Sequence, residues 1–187
     1  NKMHNMKISA RNMTLTDAER VVDYFSNADA AYLKGMGAEK SKLPDREEWI
    51  AAIQAELNKP YEEKQLYYVI WEVGGIAIGH SNINNITFGQ EAFMHLHIWE
   101  KQNRRFGNGV ELVKQSIPKY FEHFQLEKLR CEPFVGNPAP TRLLEQVGFE
   151  FVEIYETTPS IICLPQDVRR FEMSKNRFES LAHFQSK

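Results

Sequence analysis

The amino-acid sequence predicts a single α/β domain (α+β) over residues 1–187, in which helices pack against a mixed central sheet. Segments with helical spacing of apolar residues alternate with segments of β texture along the chain. No repeat, low-complexity tract or Pro/Gly/Ser-rich linker divides it. Hydrophobic residues make up 42% and charged residues 26% of the chain, a balance that argues for a buried core and against extensive disorder.

The N-terminal third predicts one strand and two helices. The stretch MKISARNM alternates weakly in polarity and predicts the first strand. Thr16 and Glu19 have the spacing of a capping box, so the first helix is expected to begin there. Residues 28–42 show no steady period and predict a long, adaptable loop. Pro44 suits the first turn of the next helix, whose apolar face is Trp49, Ile50, Ile53 and Leu57.

From Leu66 onward the chain takes on a β texture. Aromatic and β-branched residues dominate LYYVIWEVGGIAIGHSNI, and Gly74 and Gly75 can both adopt the positive φ of a hairpin turn. In AFMHLHIW, residues 92–99, both alternating sets of side chains are bulky. This predicts a central strand that is covered on both faces.

The C-terminal half predicts two helices and three strands. Val110, Val113 and Ile117 have helical spacing after the strand 92–99. KLRCEPFV, residues 128–135, predicts a strand that carries Glu132. NPAPTRLLEQVGF predicts a short helix that Gly148 ends. FEFVEIYE and VRRFEMSK are expected to close the chain as an antiparallel pair.

Charge and composition exclude several classes of protein. A formal net charge of -2 gives no general attraction to nucleic acid or to an anionic membrane, so neither is expected as a partner. Cys131 and Cys163 lie far apart and outside any CxxC pattern, which argues against a disulfide scaffold or a zinc site. No apolar run approaches the length of a membrane span, and the N-terminal stretch lacks a signal-peptide core. A cytoplasmic protein is the expectation.

The stretch NRRFGNGVELV, residues 103–113, predicts an anion site. Gly107 and Gly109 stand between a buried strand and a helix start, where backbone N–H groups have no partner within the helix. Glycines let this backbone approach a ligand closely, so the amides can converge on phosphate oxygens. Arg104 and Arg105 can add charge and hydrogen-bond donors. The Walker lysine and the third glycine of the dinucleotide fingerprint are both missing, which weakens a nucleotide-binding role.

Two motifs together resemble the GNAT superfamily of acyl-CoA-dependent N-acyltransferases. The cofactor loop of that family has the form Q/R-x-x-G-x-G/A, which Arg104, Gly107 and Gly109 match. The second motif is similar to the N-x-A-S-x-R-x-L-E-K-x-G-F segment of the RimJ/RimL-like branch, whose named members acetylate protein N-termini. The residues that match this segment are Asn137, Ala139, Arg142, Leu144, Glu145, Gly148 and Phe149.

The resemblance implies a GNAT fold with a splay between two strands of the sheet, acetyl-CoA as cosubstrate, and no metal. Backbone amides from Arg104 to Gly109, a stretch that includes Arg105, Phe106, Gly107 and Asn108, would hold the CoA pyrophosphate. The edge of the central strand at His97, Ile98 and Trp99 would pair with the pantetheine arm. Asn137 would contact the cofactor from the other side. The partners implied are acetyl-CoA and an amine acceptor, either a peptide N-terminus or a small molecule, with the protein a monomer or a homodimer.

Glu132 is the candidate general base. At pH 7 a lysine amine is neutral in about one molecule in 2,500 and an α-amine in about one in seven, so a base matters most for lysine. In some related enzymes a Glu five residues before the Asn acts as the base, which is the position of Glu132 relative to Asn137. The alternative is a structural carboxylate that pairs with a neighbouring Arg or Lys, and Pro133 can change where Glu132 points.

Two departures from the family leave the proton donor for the thiolate open. Leu144 stands where many relatives have a Tyr, and Pro140 where the N-terminal acetyltransferases have a Ser. Water, another Tyr or a loss of activity remain as alternatives. The sequence therefore predicts an N-acetyltransferase, with a catalytically weak acyl-CoA-binding module as the alternative.

The remaining candidate residues favour packing roles. His95 and His97 share one strand face, but no third metal ligand is evident at a fitting spacing, so imidazoles in the core or the pocket wall are favoured. Cys131 lacks a catalytic partner in the sequence and is interpreted as a buried structural thiol. Simple core packing is also favoured for the aromatic residues that could line an acceptor groove, Tyr32, Trp49, Trp71 and Trp99.

Overall fold

The computed structural model describes residues 6–105 and 107–185 of the chain. Along these residues the secondary structure consists of the following strands and helices: β1 (Ile8–Asn12), α1 (Asp17–Ser26), α2 (Ala30–Gly35), α3 (Arg46–Leu57), β2 (Leu66–Val73), β3 (Ile76–Thr87), β4 (Glu91–Ile98), α4 (Gly109–Phe124), β5 (Lys128–Cys131), α5 (Ala139–Val147), β6 (Glu150–Thr157), β7 (Gln166–Ser174) and α6 (Lys175–Ser180). None of the helices in these ranges is long and apolar enough to cross a membrane.

The strands form one seven-stranded mixed sheet in the order β1-β2-β3-β4-β5-β7-β6. Neighbouring strands are antiparallel except β4 and β5, which are parallel. Gly74 and Gly75 turn the β2–β3 hairpin with φ values of 60° and 79°. The predicted hairpin, the mixed sheet and the closing antiparallel pair are confirmed.

The sheet opens between its two parallel strands. β4 pairs with β5 only from Glu91 to Phe93, opposite Lys128 to Arg130. Beyond that point β4 continues to Ile98, whereas β5 ends at Cys131 and the chain turns toward β7. The backbone edge of β4 from Met94 onward is therefore free of a strand on this side, and the predicted splay is confirmed.

Helices cover both faces of the sheet because β2 and its neighbours are apolar on both sides. One buried cluster joins Val69 and Trp71 of β2 to Leu112 and Ile117 of α4. A second cluster joins Tyr68 and Ile70 to the apolar faces of α1 and α3, with Val21, Val22, Phe25, Trp49, Ile50 and Ile53. The two cores fix the sheet between helix layers and so hold its open edge in place.

Three local predictions are wrong. The predicted loop over residues 28–42 contains α2, because the Asp29 carboxylate accepts a hydrogen bond from the Tyr32 amide at 2.7 Å and caps that helix. The capping box does not form: Thr16 makes no side-chain cap, and Asp17 instead accepts from the Thr14 amide at 2.8 Å.

The third correction concerns the strand predicted over residues 128–135. β5 ends at Cys131, so Glu132 follows the strand rather than lying on it. Pro133 has no N–H group to continue a ladder. Its carbonyl oxygen instead accepts a hydrogen bond from the Arg169 amide at 3.0 Å. The short β5 is what allows the sheet to open here.

Candidate active site

A cavity of about 590 Å³ lies where β4 and β5 separate. The exposed edge of β4 forms one wall, the segment after β5 and the start of α5 form a second, and α1 and α2 close it from above the sheet. Its lining includes the predicted residues His97, Ile98, Arg104, Gly109, Glu132 and Asn137. The structure thus brings these two separate motifs and the candidate base to one cavity.

The start of α4 has the backbone form expected of an anion site. Gly107 has a φ of 70°, which favours glycine, and Gly109 is the first helical residue. Asn108 stands at the N-cap position but makes no side-chain capping bond. The first N–H groups of the helix have no acceptor within the helix. They are therefore available to an anion at this end of the cavity.

Asn108 also holds a buried donor with no acceptor. The residue is 8% exposed, and within the described residues its Nδ2 has no hydrogen-bond partner. A buried amide N–H without a partner is costly. Asn108 is not among the residues that line the cavity, so the fit to the pyrophosphate of CoA rests on the backbone N–H groups at the start of α4, where Gly109 lines the cavity.

The side chain of Arg104 folds back onto the end of β4. Its Nε donates to the Ile98 carbonyl oxygen at 2.9 Å, and its Nη2 to the Trp99 carbonyl oxygen at 3.3 Å. The guanidinium also lies 4.6 Å from the centre of the Tyr32 ring. Arg104 thus links the strand end, the anion loop and α2. Phe106 and the side chain of Arg105 lie outside the described parts of the chain.

The other predicted cofactor residues take different positions. His97 and Ile98 lie in the cavity wall. Trp99 lines a second, adjacent cavity instead, and its Nε1 donates to Nδ1 of His80 at 2.9 Å. Asn137 lies across the main cavity, where its backbone N–H donates to the Phe134 carbonyl oxygen at 2.9 Å.

Glu132 lies in the cavity wall and is tied to two other strands. Its Oε2 accepts hydrogen bonds from Tyr155 Oη on β6 and from Arg170 Nε on β7, both at 2.6 Å. A further bond joins Arg170 Nη2 to Tyr155 Oη at 2.7 Å. The Glu132 side chain is 6% exposed. The ion pair with Arg170 agrees with a structural role for Glu132. The position of Glu132 in the cavity wall agrees with a role as the base.

A chain of polar groups that the sequence did not suggest runs along the cavity wall. Tyr32 Oη lies 2.7 Å from Tyr24 Oη, which lies 3.1 Å from Nδ1 of His97. Burial lowers the pKa of His97 well below 6.5, and the nearby charges of His80, His95 and Arg104 add to this effect. His97 is therefore a neutral imidazole at pH 7. Tyr24 and Tyr32 are brought to β4 by two helices, so no sequence spacing marks them.

Trp49 and Trp71 are buried as predicted, whereas Tyr32 lies in the cavity wall, so the core packing predicted for it is wrong. Cys131 is buried as predicted, and burial raises the pKa of its thiol to about 12. Leu144 is fully buried in the core, whereas Pro140 lines the cavity. His95 Nε2 lies 2.9 Å from Asn84 Oδ1. Across the residues that the structure describes, no group of three or more His, Cys, Asp or Glu side chains could hold a metal ion.

The buried histidines behind the cavity predict a loss of stability in acid. Burial and the charge of His95 lower the pKa of His80 to about 3, from 6.5. The unfolded chain takes up this proton near pH 6.5 and the folded chain does not, so the stabilisation is complete above pH 6.5 and is lost as the pH falls toward 3. Between pH 7 and pH 5 His80 should account for about 2 kcal/mol of the loss in unfolding free energy.

Urea unfolding at both pH values measures this loss. His80→Gln, which does not titrate, should lose less stability than the wild type between the two pH values, by about 2 kcal/mol. His183→Gln changes an exposed histidine and serves as the control. Equal losses in the wild type and His80→Gln would show that His80 is not the buried neutral group described above.

Comparison with known proteins agrees with this architecture. The profile of the acetyltransferase (GNAT) domain family matches residues 8–150. No curated protein sequence matches the chain. Solved structures with the same fold include spermidine N-acetyltransferase from Vibrio cholerae in complex with CoA and spermine, at 16% identity and a TM-score of 0.75 over 96% of this chain and 100% of that chain.

Two further structures are similar. RimL, the ribosomal L7/L12 α-N-protein acetyltransferase in complex with CoA, has 11% identity and a TM-score of 0.71 over 89% of this chain and 93% of that chain. The aminoglycoside acetyltransferase AAC(6')-Ib in complex with CoA has 16% identity and a TM-score of 0.66 over 92% and 98%. At these identities the likeness shows a shared fold, and the RimJ/RimL-like branch stays a prediction. The family profile spans most of the chain and includes the splayed strands and the anion loop, so this protein belongs to the GNAT acetyltransferase family.

Proposed function

We propose that the protein is an acetyl-CoA-dependent N-acetyltransferase that transfers the acetyl group to a primary amine by direct attack of the amine on the thioester. The observation that carries this proposal is that one cavity contains both the predicted anion loop and the candidate base. Gly109, at the start of α4, and Glu132, after β5, both line the space where the sheet opens. A binding site for a phosphate group therefore borders the same cavity as a carboxylate that can accept a proton.

The proposed cofactor site follows the two motifs. The backbone from Arg104 to Gly109 would bind the pyrophosphate, with Arg104 and Gly109 in the cavity wall. The free edge of β4 at His97 and Ile98 offers peptide groups to the pantetheine arm, and Asn137 contacts the cofactor from the opposite wall. Acetyl-CoA supplies the acetyl group as an activated thioester. The CoA complexes of the three similar structures support this assignment.

The proposed base is Glu132. The bonds from Tyr155 and Arg170 both end on Oε2, so Oε1 is the oxygen proposed to take the proton from the attacking amine. These two partners fix the orientation of the carboxylate in the wall of the cavity. A fixed position matters because general-base catalysis requires the base within hydrogen-bond reach of the amine.

The alternative is an acyl-CoA-binding module with little catalysis. The observation that favours it is the absence of a side-chain acid at two positions: Leu144 is buried in the core, and Pro140 has no donor. Release of free CoA thiol from acetyl-CoA on addition of an amine separates the two functions. The enzyme releases thiol, whereas the binding module only binds CoA.

The proposed setting is the cytoplasm, with the protein working as a monomer or a homodimer. Both cysteines are free thiols, which suits a reducing compartment.

β6 lies at the edge of the sheet and exposes Phe151, Val152 and Ile154, a surface that a second copy of the chain could cover. Light scattering of the purified protein separates the monomer from the dimer.

The anion loop is tested by Gly109→Val. Acetyl-CoA should raise the melting temperature of the wild type because it binds the folded state. The branched side chain of Val should remove this shift by blocking the close approach of a phosphate. A new Cβ would also lie 2.9 Å from Leu143 Cδ1, the movable end of a side chain.

Gly109→Ala is the matched control, since it adds the same Cβ without the branch. Ala should keep a larger part of the acetyl-CoA shift than Val, and both free proteins should unfold cooperatively. A folded Gly109→Val variant with the wild-type shift would contradict the assignment of the loop.

The base is tested by Glu132→Gln. The variant keeps the shape of the side chain but cannot accept a proton, so acetyl-CoA binding should survive while turnover at pH 7 falls by about 10²–10⁴-fold. Raising the pH from about 7 to 9 should restore part of the rate. The remaining deficit at pH 9 should be smaller for an α-amine than for a lysine, because nearly all of the α-amine and only a small part of the lysine is then neutral.

Glu156→Gln, on an exposed position of β6, serves as the control and should turn over like the wild type. Wild-type turnover of Glu132→Gln at every pH would remove Glu132 from the mechanism. A variant that no longer binds acetyl-CoA would support the structural interpretation of this carboxylate.

A further inference from the structure

Aromatic and apolar groups form a large part of the cavity lining. α1 contributes Tyr24, α2 contributes Tyr32, and Met36 follows the end of α2; the segment after β5 contributes Phe134. Pro159 closes the cavity from the segment that follows β6. Burial of apolar surface is the interaction that such a wall offers to a ligand.

The same lining offers no free negative charge. Among the described residues that line it, Glu132 is the only carboxylate, and the guanidinium of Arg170 compensates its charge at 2.6 Å. Arg104 adds a positive charge to the wall. A buried cation without a paired carboxylate pays a large desolvation penalty. A ligand with several ammonium groups would therefore meet a single carboxylate whose charge is already compensated.

The adjacent second cavity does not supply the missing charge. Its carboxylates are Asp23, Asp29 and Glu100, and its cations are Arg20, Lys101 and Arg104. Asp23 already accepts a hydrogen bond from Arg46 at 2.7 Å, and Asp29 caps α2. The charges in this wall balance, so the tail of a polycation gains no net attraction there.

We propose, on the basis of the acetyltransferase function proposed above, that the acceptor is a primary monoamine attached to an apolar or aromatic group. A small arylalkylamine and a peptide with an apolar first residue both have this chemistry. Polyamines and aminoglycosides do not. In the transfer, the amine nitrogen forms a bond to the carbonyl carbon and the C–S bond breaks. The amine proton passes to the base, and the thiolate leaves and is protonated from water, with no change in oxidation state.

An acceptor comparison tests this proposal. Thiol release from acetyl-CoA is measured with tryptamine, with a short peptide that begins with Phe, with spermidine and with kanamycin. The kcat/KM of the better apolar monoamine should exceed that of spermidine and of kanamycin by about tenfold or more. Comparison of kcat/KM for tryptamine with kcat/KM for the peptide shows whether a small amine or a peptide N-terminus is the preferred acceptor. A higher value for spermidine or kanamycin would overturn the proposal.

Binding provides a readout that does not depend on turnover. With saturating CoA present, tryptamine or the Phe peptide should raise the melting temperature more than spermidine does. Absence of thiol release with every amine would contradict the enzymatic function, and the melting shifts would still decide the preference of the cavity. A larger shift with spermidine would overturn the proposed acceptor class in either case.

A designed charge in the wall tests the physical cause. Met36→Glu adds a carboxylate to the lining, and Met36→Gln adds a polar group of the same shape without charge. The Glu variant should raise the ratio of kcat/KM for spermidine to that for tryptamine by about tenfold, and the Gln variant should not. Equal ratios in the two variants would show that lining charge does not set acceptor preference.

Discussion

The parting of β4 and β5 is the constraint on which the site depends. The two strands are parallel and share hydrogen bonds only from Glu91 to Phe93 on β4, after which β5 ends at Cys131. The unpaired edge of β4 must satisfy its polar groups in another way, since buried backbone groups are costly without partners. Arg104 supplies one such bond, to the carbonyl oxygen of Ile98, and a second to Trp99 just after the strand. The remaining edge faces the cavity.

The rest of the fold keeps this opening in place. Two apolar cores pack against the sheet from both faces, and close packing of this kind resists movement of the strands. Behind the opening, Tyr120 Oη donates to Ser81 Oγ at 2.6 Å, and Ser81 Oγ donates to the His95 carbonyl oxygen at 2.9 Å. These bonds connect α4 to β3 and β4. The helix whose N-terminus forms the anion site is therefore fixed to the strand that forms the cavity wall.

Local signals predicted most of the sheet. The Gly74-Gly75 turn, the alternation of residues 92–99 and the glycine that ends α5 each act through near neighbours, and the structure confirms the elements that they mark. α2 was missed because it is only six residues long, and its stability comes from the Asp29 cap rather than from a periodic apolar face.

The candidate site could be predicted only in part, because some of its contacts are formed by residues that are distant in the sequence. The anion loop and Asn137 carry motifs, so their residues were found from the sequence. Tyr155 and Arg170 reach Glu132 from β6 and β7. Tyr24 reaches His97 from α1, and Tyr32 of α2 is bonded in turn to Tyr24. Such pairs are set by sheet order and helix packing. A single sequence contains no spacing that marks them.

A crystal structure of the protein with bound CoA is the most direct test of the account. We expect the pyrophosphate to accept hydrogen bonds from the backbone N–H groups at Gly107 to Gly109 and the pantetheine arm to lie along β4 at His97 and Ile98. The thiol end should then point into the cavity that Glu132 lines. CoA bound elsewhere on the protein, or a pyrophosphate held only by side chains, would contradict it.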